Sequence, residues 1–577
     1  MTRKPLTPRQ IDALLQQALA LQQNGALTEA QELYRELLAA RPRHFDALQL
    51  LGTLMLQQGR LEEGVAQLQR ALEVDAKQPA LHSNLSYALN ALQRHTEALA
   101  SANRALTLQP RFADALNNHG TALAALERPR DALASFDKAI ALAPDMASAW
   151  NNRACTLRDL NQPHDALSSC ERALELQPAY AQAWSNRANA LSDLDRAADA
   201  RASYQKALDI APEFADAWNN LGLTLIDLGE HEAALAAFER ALELNPDYLE
   251  CRWNRSNCLL RMGRFDEGWP EYEVRWQRRW VGARPRVFTQ PVWLGDFSLG
   301  DKTILLHAEQ GLGDTLQFCR YATEVARLGA KVLLEVPAPL LRLLQSLDGV
   351  AQLIEEGAPL PDFDCHCPLL SLPLALRTTL ASIPAATPYL HANPADLGQW
   401  AQRLGPREPG MLRVGLVWAG GDRPQVPELR RTDRRRSLRL ETFAPLLNVP
   451  HVRFYSLQIG DAAHQAPALN AQRQEPQHIV DFTREIADFA DTAALIAQLD
   501  LVISVDTSTA HLAGALGKPV WIPNRVDTCW RWLLERDDSP WYRSARLFRQ
   551  QRSGEWHDVI DAMAIALAEH AQTYATQ

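Results

Sequence analysis

The sequence predicts an all-α repeat region followed by an α/β region with two parallel sheets, and three observations support this fold class. Small residues, bulky residues and prolines recur at 34-residue steps in the first half. Short apolar stretches alternate with amphipathic segments in the second half, and two of these stretches lead into turns rich in glycine or hydroxyl residues. With 577 residues, 47% of them hydrophobic, the chain can form two to four domains with substantial cores.

Three series of residues define the repeat. The small residues are Ala30, Gly64, Ala98, Ala132, Ala166, Ala200, Ala234 and Gly268; bulky residues often follow four positions later, at Tyr34, Phe136, Tyr204, Phe238 and Tyr272; closing prolines are Pro42, Pro110, Pro144, Pro178, Pro212 and Pro246. A 34-residue helix-turn-helix unit with these features resembles the tetratricopeptide repeat, with about eight units over residues 8–282. The resemblance implies a superhelix of stacked helix pairs with a continuous core and a concave face.

A further series at the same spacing consists of asparagines. Its members are Asn84, Asn118, Asn152, Asn186, Asn220 and Asn254. A row of Asn amides on a groove wall can pair with the backbone of an extended peptide whatever its side chains, because each amide carries donors and an acceptor. The row resembles the asparagine ladder of the O-linked N-acetylglucosaminyltransferases, which implies binding of a protein acceptor. The alternative is that each Asn only bonds the next repeat.

The second half is organised as two predicted sheet domains behind a linker at residues 283–300. The first domain, 301–400, has strands expected near 303–308, 331–336 and 363–368. The second, 410–577, has strands expected near 414–418, 454–457 and 501–505. Ligands of such domains bind outside the carboxyl ends of the strands, so the cleft between the two sheets is the expected site. We also expect the repeat half and the sheet half to fold separately.

Two turns point into that cleft. The first contains Gly311 and Gly313, which permit close approach to a ligand, and ends in Asp314. The second begins a helix whose amino end can hold a phosphate, and its candidate residues are Asp506, Thr507, Ser508, Thr509 and His511. The ordinary alternatives are that Asp314 and Asp506 are helix caps and that His511 is a core histidine.

The order of these turns resembles the heptosyltransferase-like family 9 glycosyltransferases, which have the GT-B fold of two facing Rossmann-like domains. The resemblance covers about 300–550. Bacterial proteins that join tetratricopeptide repeats to such a domain are more similar still, through stretches like 307–314 and 530–534, and some of them glycosylate flagellin. Two departures from the family are Ser508, where glycine is usual, and the lack of an evident counterpart to its donor-binding lysine.

The resemblance implies a metal-independent, inverting transfer of sugar from a nucleotide-sugar to a protein hydroxyl. The first sheet domain is then the acceptor side and the second the nucleotide-sugar side. Asp314 matches the family's catalytic aspartate and is the expected base. The expected donor-binding residues are Gly311, Gly313, Trp418, Arg434, Arg436, Asp506, Thr507, Ser508, Thr509 and His511. Arg434 and Arg436 belong to a run of six arginines between 430 and 439, which would otherwise be a solvated face.

Composition restricts the remaining function classes. The net charge of −10 argues against general nucleic-acid binding. The start of the sequence has no apolar signal core, and no apolar stretch reaches about 20 residues, so we expect a cytoplasmic protein without a membrane span. We expect no cofactor, no metal and buried free thiols. The alternatives to a protein glycosyltransferase are a glycolipid or polysaccharide transferase with the repeats as an assembly scaffold, or a non-catalytic interaction scaffold; the oligomeric state stays open.

Overall fold

The computed structural model describes residues 7–278, 286–421, 427–473 and 478–576. It divides into two compact units, one ending at Ala217 and the other beginning at Trp218. Within the described ranges, we find no helix with both the length and the apolar character needed to cross a bilayer.

Paired helices form the repeat region. They are α1 (Pro8–Gln23), α2 (Leu27–Ala40), α3 (Phe45–Gln57), α4 (Leu61–Val74), α5 (Pro79–Ala91), α6 (His95–Leu108), α7 (Ala113–Ala125), α8 (Pro129–Leu142), α9 (Ala147–Asp159), α10 (Pro163–Leu176), α11 (Ala181–Asp193), α12 (Ala197–Ile210), α13 (Ala215–Asp227), α14 (His231–Leu244), α15 (Leu249–Arg261) and α16 (Phe265–Tyr272). Each small residue of the series is the fourth residue of the second helix of its pair and is buried. Each proline of the series follows the end of such a helix by two residues, so the predicted repeat architecture is confirmed.

Glycines of the first helices make room for bulky residues of the second helices. A Cβ atom added to Gly120 of α7 would lie 2.7 Å from the ring of Phe136 in α8. One added to Gly222 of α13 would lie 2.5 Å from the ring of Phe238 in α14. In these two pairs, a glycine outside the predicted small-residue series accommodates the bulky residue of the second helix.

The first sheet is entirely parallel. Its strands are β1 (Thr303–His307), β2 (Lys331–Val336), β3 (Val350–Glu355) and β4 (Cys365–Pro368), in the order β3-β2-β1-β4. The accompanying helices are α17 (Leu312–Phe318), α18 (Tyr321–Arg327), α19 (Leu341–Leu344), α20 (Leu372–Ala375) and α21 (Pro394–Leu404). In register, Ile304 of β1 lies between Val332 and Cys365, so the apolar centre of β1 is covered on both edges.

The second sheet is also parallel. Its strands are β5 (Leu412–Val417), β6 (Val452–Ser456), β7 (Val480–Asp481), β8 (Leu501–Ser504), β9 (Val520–Asn524) and β10 (Ala545–Arg549), in the order β10-β9-β8-β5-β6-β7. The helices are α22 (Pro427–Arg436), α23 (Ala444–Leu447), α24 (Gln465–Asn470), α25 (Phe489–Ala497), α26 (Ser508–Ala515) and α27 (His557–Ala575). Two parallel sheets in a GT-B-type α/β region confirm the predicted fold class.

The last repeat shares a hydrophobic core with the sheets. Phe265 and Trp269 of α16 belong to the same buried cluster as Trp530 and Trp541, and the rings of Trp269 and Trp530 meet edge-on at 5.2 Å. The predicted boundary at residue 282 falls in 279–285, outside the described residues. The second compact unit begins at Trp218 and so contains the last repeats together with both sheets.

The predicted linker is not a free connection where it is described. The backbone N–H of Trp293 donates to the carbonyl of His366 at 2.8 Å, and the Trp293 side chain is buried. Residues 286–300 therefore lie in part along β4 of the first sheet.

All eight cysteines lie in described residues and are free thiols. Six are buried, while Cys155 and Cys529 are partly exposed. Burial raises the pKa of the Cys155 and Cys258 thiols to about 11, so both stay protonated at neutral pH. The expectation of free thiols is confirmed.

Candidate functional site

The strand order of the second sheet indicates that a ligand binds at the carboxyl ends of β5 and β8. The chain moves outward from β5 through β6 to β7, then returns to β8 on the other side of β5. Ligands of parallel sheets bind at the carboxyl ends of the strands on either side of such a reversal. Residues 418–421 follow β5 there, and residues 505–507 follow β8, so the predicted hydroxyl-rich turn lies at this point.

The amino end of α26 supplies unpaired backbone donors. Thr507 is its N-cap in an extended conformation, and the Thr507 hydroxyl pairs with the Ser504 hydroxyl at 3.0 Å instead of capping the helix. Among the described residues, no oxygen accepts a hydrogen bond from the backbone N–H of Ser508 or Thr509. These two N–H groups and the positive end of the helix dipole favour an anion.

His511 lies one turn into the same helix and is 5% exposed. Its Nδ1 is hydrogen-bonded to the Tyr542 hydroxyl at 3.0 Å, and its ring stacks on Trp532 with the centroids 5.3 Å apart. Burial lowers the pKa of His511 to about 3, so the imidazole is neutral at pH 7. A neutral ring has a single N–H to donate, and Tyr542 fixes how that ring is oriented.

Arg436 lies at the same edge. Its Nη1 donates to the carbonyl of Asp506 at 3.2 Å, and its Nη2 pairs with Asp433 at 2.8 Å. Its Nε is buried and has no hydrogen-bond partner among the described residues. A Cβ on Gly420 would lie 2.6 Å from that Nε, so the guanidinium rests directly on the backbone of the loop after β5.

The other residues predicted near Arg436 differ in their surroundings. Arg434 is exposed on α22, and the side chain of Arg430 lies outside the described part of the chain. Arg435 is 8% exposed and pairs with Asp227 and Asp527 at 2.8 and 3.1 Å, so the arginine run is not a uniform solvated face.

Trp418 contributes its backbone to this edge, because its side chain is fully buried. The N–H groups of Trp418 and Ala419 donate to Gln458 Oε1 at 3.1 and 2.8 Å, and Gln458 Nε2 donates back to the Ala419 carbonyl at 3.0 Å. Gln458 thus holds the loop after β5. Sequence reasoning missed it, since the only signal is a polar residue directly after an apolar strand.

The two predicted turns meet. A Cβ on Gly313 would lie 3.1 Å from Cδ2 of His511 and 3.3 Å from Cα of Ser508. The start of α17, from the first sheet, therefore packs against the start of α26, from the second. The absence of a side chain at Gly313 permits this approach.

Asp314 has two contacts in this arrangement. Its Oδ2 accepts from the backbone N–H of Gly311 at 3.0 Å, which caps α17, and its Oδ1 accepts from Nη2 of Arg531. Arg531 also donates from Nε to Gln317 at 2.8 Å, and its guanidinium lies 4.2 Å from the ring centroid of Trp530. Each carboxylate oxygen keeps a lone pair for a substrate proton. Arg531, 217 residues away in sequence, was not predicted.

A second carboxyl group lies close to Asp314 in sequence. Glu309 Oε1 accepts from Nε and Nη2 of Arg275 at 3.1 and 2.9 Å, and its Oε2 is buried with no partner among the described residues. Burial raises the pKa of Glu309 to about 7, against the opposing effect of the Arg275 charge. Glu309 is therefore a second proton acceptor to consider at this loop.

The asparagine row forms hydrogen bonds between repeats. Nδ2 of Asn118 donates to the carbonyl of Ser83 at 3.0 Å, and Nδ2 of Asn152 donates to Asn117 Oδ1 at 3.0 Å. The same contact to the residue 35 positions earlier recurs at Asn186 and Asn254, at 2.8 and 2.9 Å. Asn84 is exposed, and Asn220 is partly exposed. The row thus makes the hydrogen bonds between repeats that the alternative interpretation requires. Binding of a peptide by these asparagines stays a prediction.

Family models match both parts of the chain. Tetratricopeptide repeat models match residues 21–86, 117–155, 147–180, 181–214 and 215–248. The model for glycosyltransferase family 9 (heptosyltransferase) matches residues 483–521, the segment that contains β8 and α26. The chain therefore has repeat segments similar to tetratricopeptide repeats and, at residues 483–521, a segment similar to family 9 glycosyltransferases.

Known proteins share parts of this architecture. Protein FlbA of Caulobacter vibrioides is 30% identical over 340 residues, which cover 55% of this chain and 54% of that protein. The match thus spans about half the length of that relative. Solved tetratricopeptide repeat proteins from Parabacteroides merdae and Thermus thermophilus are 19% and 24% identical; they match 43% and 32% of this chain and 98% and 100% of their own, with TM-scores of 0.38 and 0.30.

Proposed function

We propose that this chain is a glycosyltransferase that transfers a sugar from a nucleotide-sugar to a hydroxyl of a protein acceptor held by the repeats. The observation that carries the proposal is the meeting of two loops, with Gly313 against Ser508 and His511 at the reversal point of the second sheet. The family 9 match covers this same turn. A transferase needs a base on one side of the anomeric carbon and stabilisation of the departing nucleotide on the other.

The departing diphosphate fits the second-sheet side of the site. The free N–H groups of Ser508 and Thr509, the neutral His511 ring and the unpartnered Nε of Arg436 are all donors there. Thr507 and Asp506 shape the turn that presents them. Arg434 is more exposed, so we assign it a weaker, outer role in attracting the anion.

Asp314 is the proposed base, on the first-sheet side of the same contact. The Gly311 N–H and Arg531 hold its carboxylate in place. Removal of a proton from the acceptor hydroxyl as the oxygen attacks the anomeric carbon leads to inversion in a single displacement. Glu309 is the second candidate, because its raised pKa and unpartnered Oε2 suit proton transfer.

We propose that the transfer needs no divalent metal. The donors and the guanidinium of Arg436 already place positive charge at the diphosphate. The Asp-x-Asp sequence at 362–364 precedes β4 and so lies at the amino ends of the strands, away from the site. Donor hydrolysis that persists in excess EDTA is the expected result.

Protein acceptors, flagellin among them, are the substrates we assign to the repeats. The asparagine row supports this, since its regular inter-repeat bonds give the amides one fixed orientation along the array. A glycolipid or polysaccharide acceptor would leave that row without a ligand. The buried, unpartnered Nε of Arg436 speaks against a purely structural scaffold, because an unsatisfied polar group is costly to retain.

The test is to incubate the purified chain with a panel of nucleotide-sugars and measure binding and slow donor hydrolysis. His511→Ala and Arg436→Ala should each weaken nucleotide binding by about 10- to 100-fold, the loss expected for one charge-assisted or buried hydrogen bond. Arg434→Ala, two residues away on the exposed face, is the matched control and should have a smaller effect. Unchanged affinity in both first variants would move the donor site elsewhere.

A further inference from the structure

One position of the repeat changes its role along the chain. The last residue of the first helix of successive pairs is Asp159, Asp193, Asp227 and Arg261, at 34-residue steps. Asp193 pairs with Arg158 at 2.7 Å, so there the position bonds another repeat residue. Asp227 and Arg261 instead bond the sheet region of their own compact unit.

Asp227 holds the arginine helix α22. Its carboxylate, 7% exposed, pairs with Arg431 and at 2.8 Å with Arg435. Arg435 also pairs with Asp527 at 3.1 Å. Arg261, one repeat later, donates from Nε to the carbonyl of Thr528 at 2.7 Å. Two consecutive repeats thus fix α22 and the loop that follows β9.

The held helix also carries the donor-site arginine. Arg435 and Arg436 are neighbours, and successive residues of a helix point about 100° apart. Arg435 therefore faces Asp227, while Arg436 reaches Asp506 and the Gly420 backbone at the carboxyl ends of β8 and β5. Fixing one of these side chains fixes the angle at which the helix presents the other.

We propose that Asp227 is a positioning residue for nucleotide binding: a repeat carboxylate sets the arginine that contacts the donor diphosphate. This inference rests on the proposed function. Without the Asp227 carboxylate, the partly buried guanidiniums of Arg431 and Arg435 would lose the counterion that they share. Like charges that lose their counterion move toward water, and α22 would turn with them.

The experiment uses the full chain with Asp227→Asn, which keeps the size of the side chain and removes its charge. Asp193→Asn is the matched control, because it occupies the same repeat position and also loses an ion pair. Hydrogen exchange of the backbone amides of α22 reports the anchoring. Calorimetric affinity for UDP, GDP, ADP and CDP reports the donor site, using whichever of these binds wild type most tightly.

Asp227→Asn should accelerate exchange in α22 and weaken the nucleoside diphosphate by about 10-fold. Asp193→Asn should do neither. In an Arg436→Ala background the further effect of Asp227→Asn should fall below about twofold, since the two residues act through one contact. Additive effects would show that Asp227 acts only on stability, and that result would overturn the proposal.

Unchanged exchange of α22 in Asp227→Asn would also overturn it. If wild type binds none of the four nucleotides, the proposed function fails, and the claim about donor binding fails with it. The exchange measurement needs no nucleotide, so it separately decides whether Asp227 anchors α22.

Discussion

The role of Asp314 can be tested by changing it together with Arg531. Asp314→Asn alone keeps an acceptor for the backbone N–H of Gly311, because the amide oxygen of Asn can take the place of the carboxylate oxygen. It also removes the charge opposite Arg531, which is 9% exposed. An unpaired buried charge costs about 3–5 kcal/mol. The Asp314 side chain is 21% exposed, and solvent screening reduces that cost to about 1–3 kcal/mol.

The single variant therefore loses stability whether or not Asp314 is the base, and the double variant separates the two roles. Arg531→Met removes the cation and keeps much of the side-chain volume over Trp530. Asp314→Asn with Arg531→Met should recover most of the lost melting temperature. If Asp314 is the base, the transfer rate at saturating donor should stay about 100- to 10,000-fold below that of Arg531→Met alone.

The assay is the initial rate of sugar transfer, measured beside melting temperature and nucleotide affinity for all four chains. Nucleotide affinity should change little between Arg531→Met and the double variant. A double variant as fast as Arg531→Met would show that Asp314 is only a cap and an ion-pair partner. Glu309→Gln would then be the next variant, because Glu309, with its unpartnered Oε2, is the second candidate base.

Three further outcomes follow from the structure. A fragment of residues 218–577 should unfold cooperatively, whereas 286–577, which lacks the repeat side of the shared core, should not; cooperative melting of the shorter one contradicts the packing. Gly120→Ala, whose Cβ would lie 2.7 Å from a ring, should cost about 1–3 kcal/mol, whereas Gly398→Ala, in a helix with open space, should stabilise by up to about 1 kcal/mol. The pKa of His511 is about 3 in the folded chain and 6.5 in the unfolded chain. The contribution of the neutral His511 ring to the free energy of unfolding is therefore complete above pH 6.5 and is lost as the pH falls toward 3. The stability gap between wild type and His511→Gln should therefore narrow by about 2 kcal/mol from pH 7 to pH 5, as measured by denaturant unfolding at both pH values.

Periodic residues made the repeats predictable, because burial in a repeat array imposes the same residue size at the same position in every unit. Strands with continuous apolar runs, such as β1 and β8, were predicted for a similar reason. The strands that were missed lack that signal: β3 is partly exposed, β7 has two residues, β9 contains Pro523, and arginines interrupt β10. Their positions depend on neighbouring strands and not on local pattern.

The site was predictable where one turn carries several functional residues, as at 506–511, and not where partners come from distant segments. Arg531 and Gln458 hold the predicted loops from 217 and 40 residues away. Asp227 reaches the arginine helix across 208 residues. The sequence shows each as one polar residue, and only the folded chain shows which charge it opposes.

The asparagine row shows why spacing alone could not separate its two roles. Both a peptide groove and an inter-repeat bond require an Asn at every thirty-fourth residue. The structure shows that Nδ2 of Asn118 must face Ser83, because a carbonyl accepts only from a donor. Nδ2 is also the donor at Asn152, Asn186 and Asn254. Asn152 Oδ1 already accepts from Asn151 Nδ2 at 3.4 Å and Asn186 is buried, so the amide oxygens of the partly exposed Asn118 and Asn254 are the groups left to face a ligand. A peptide held by this row would consequently be bound through its backbone N–H groups, and a proline in the acceptor, which has none, should weaken binding wherever it meets the row.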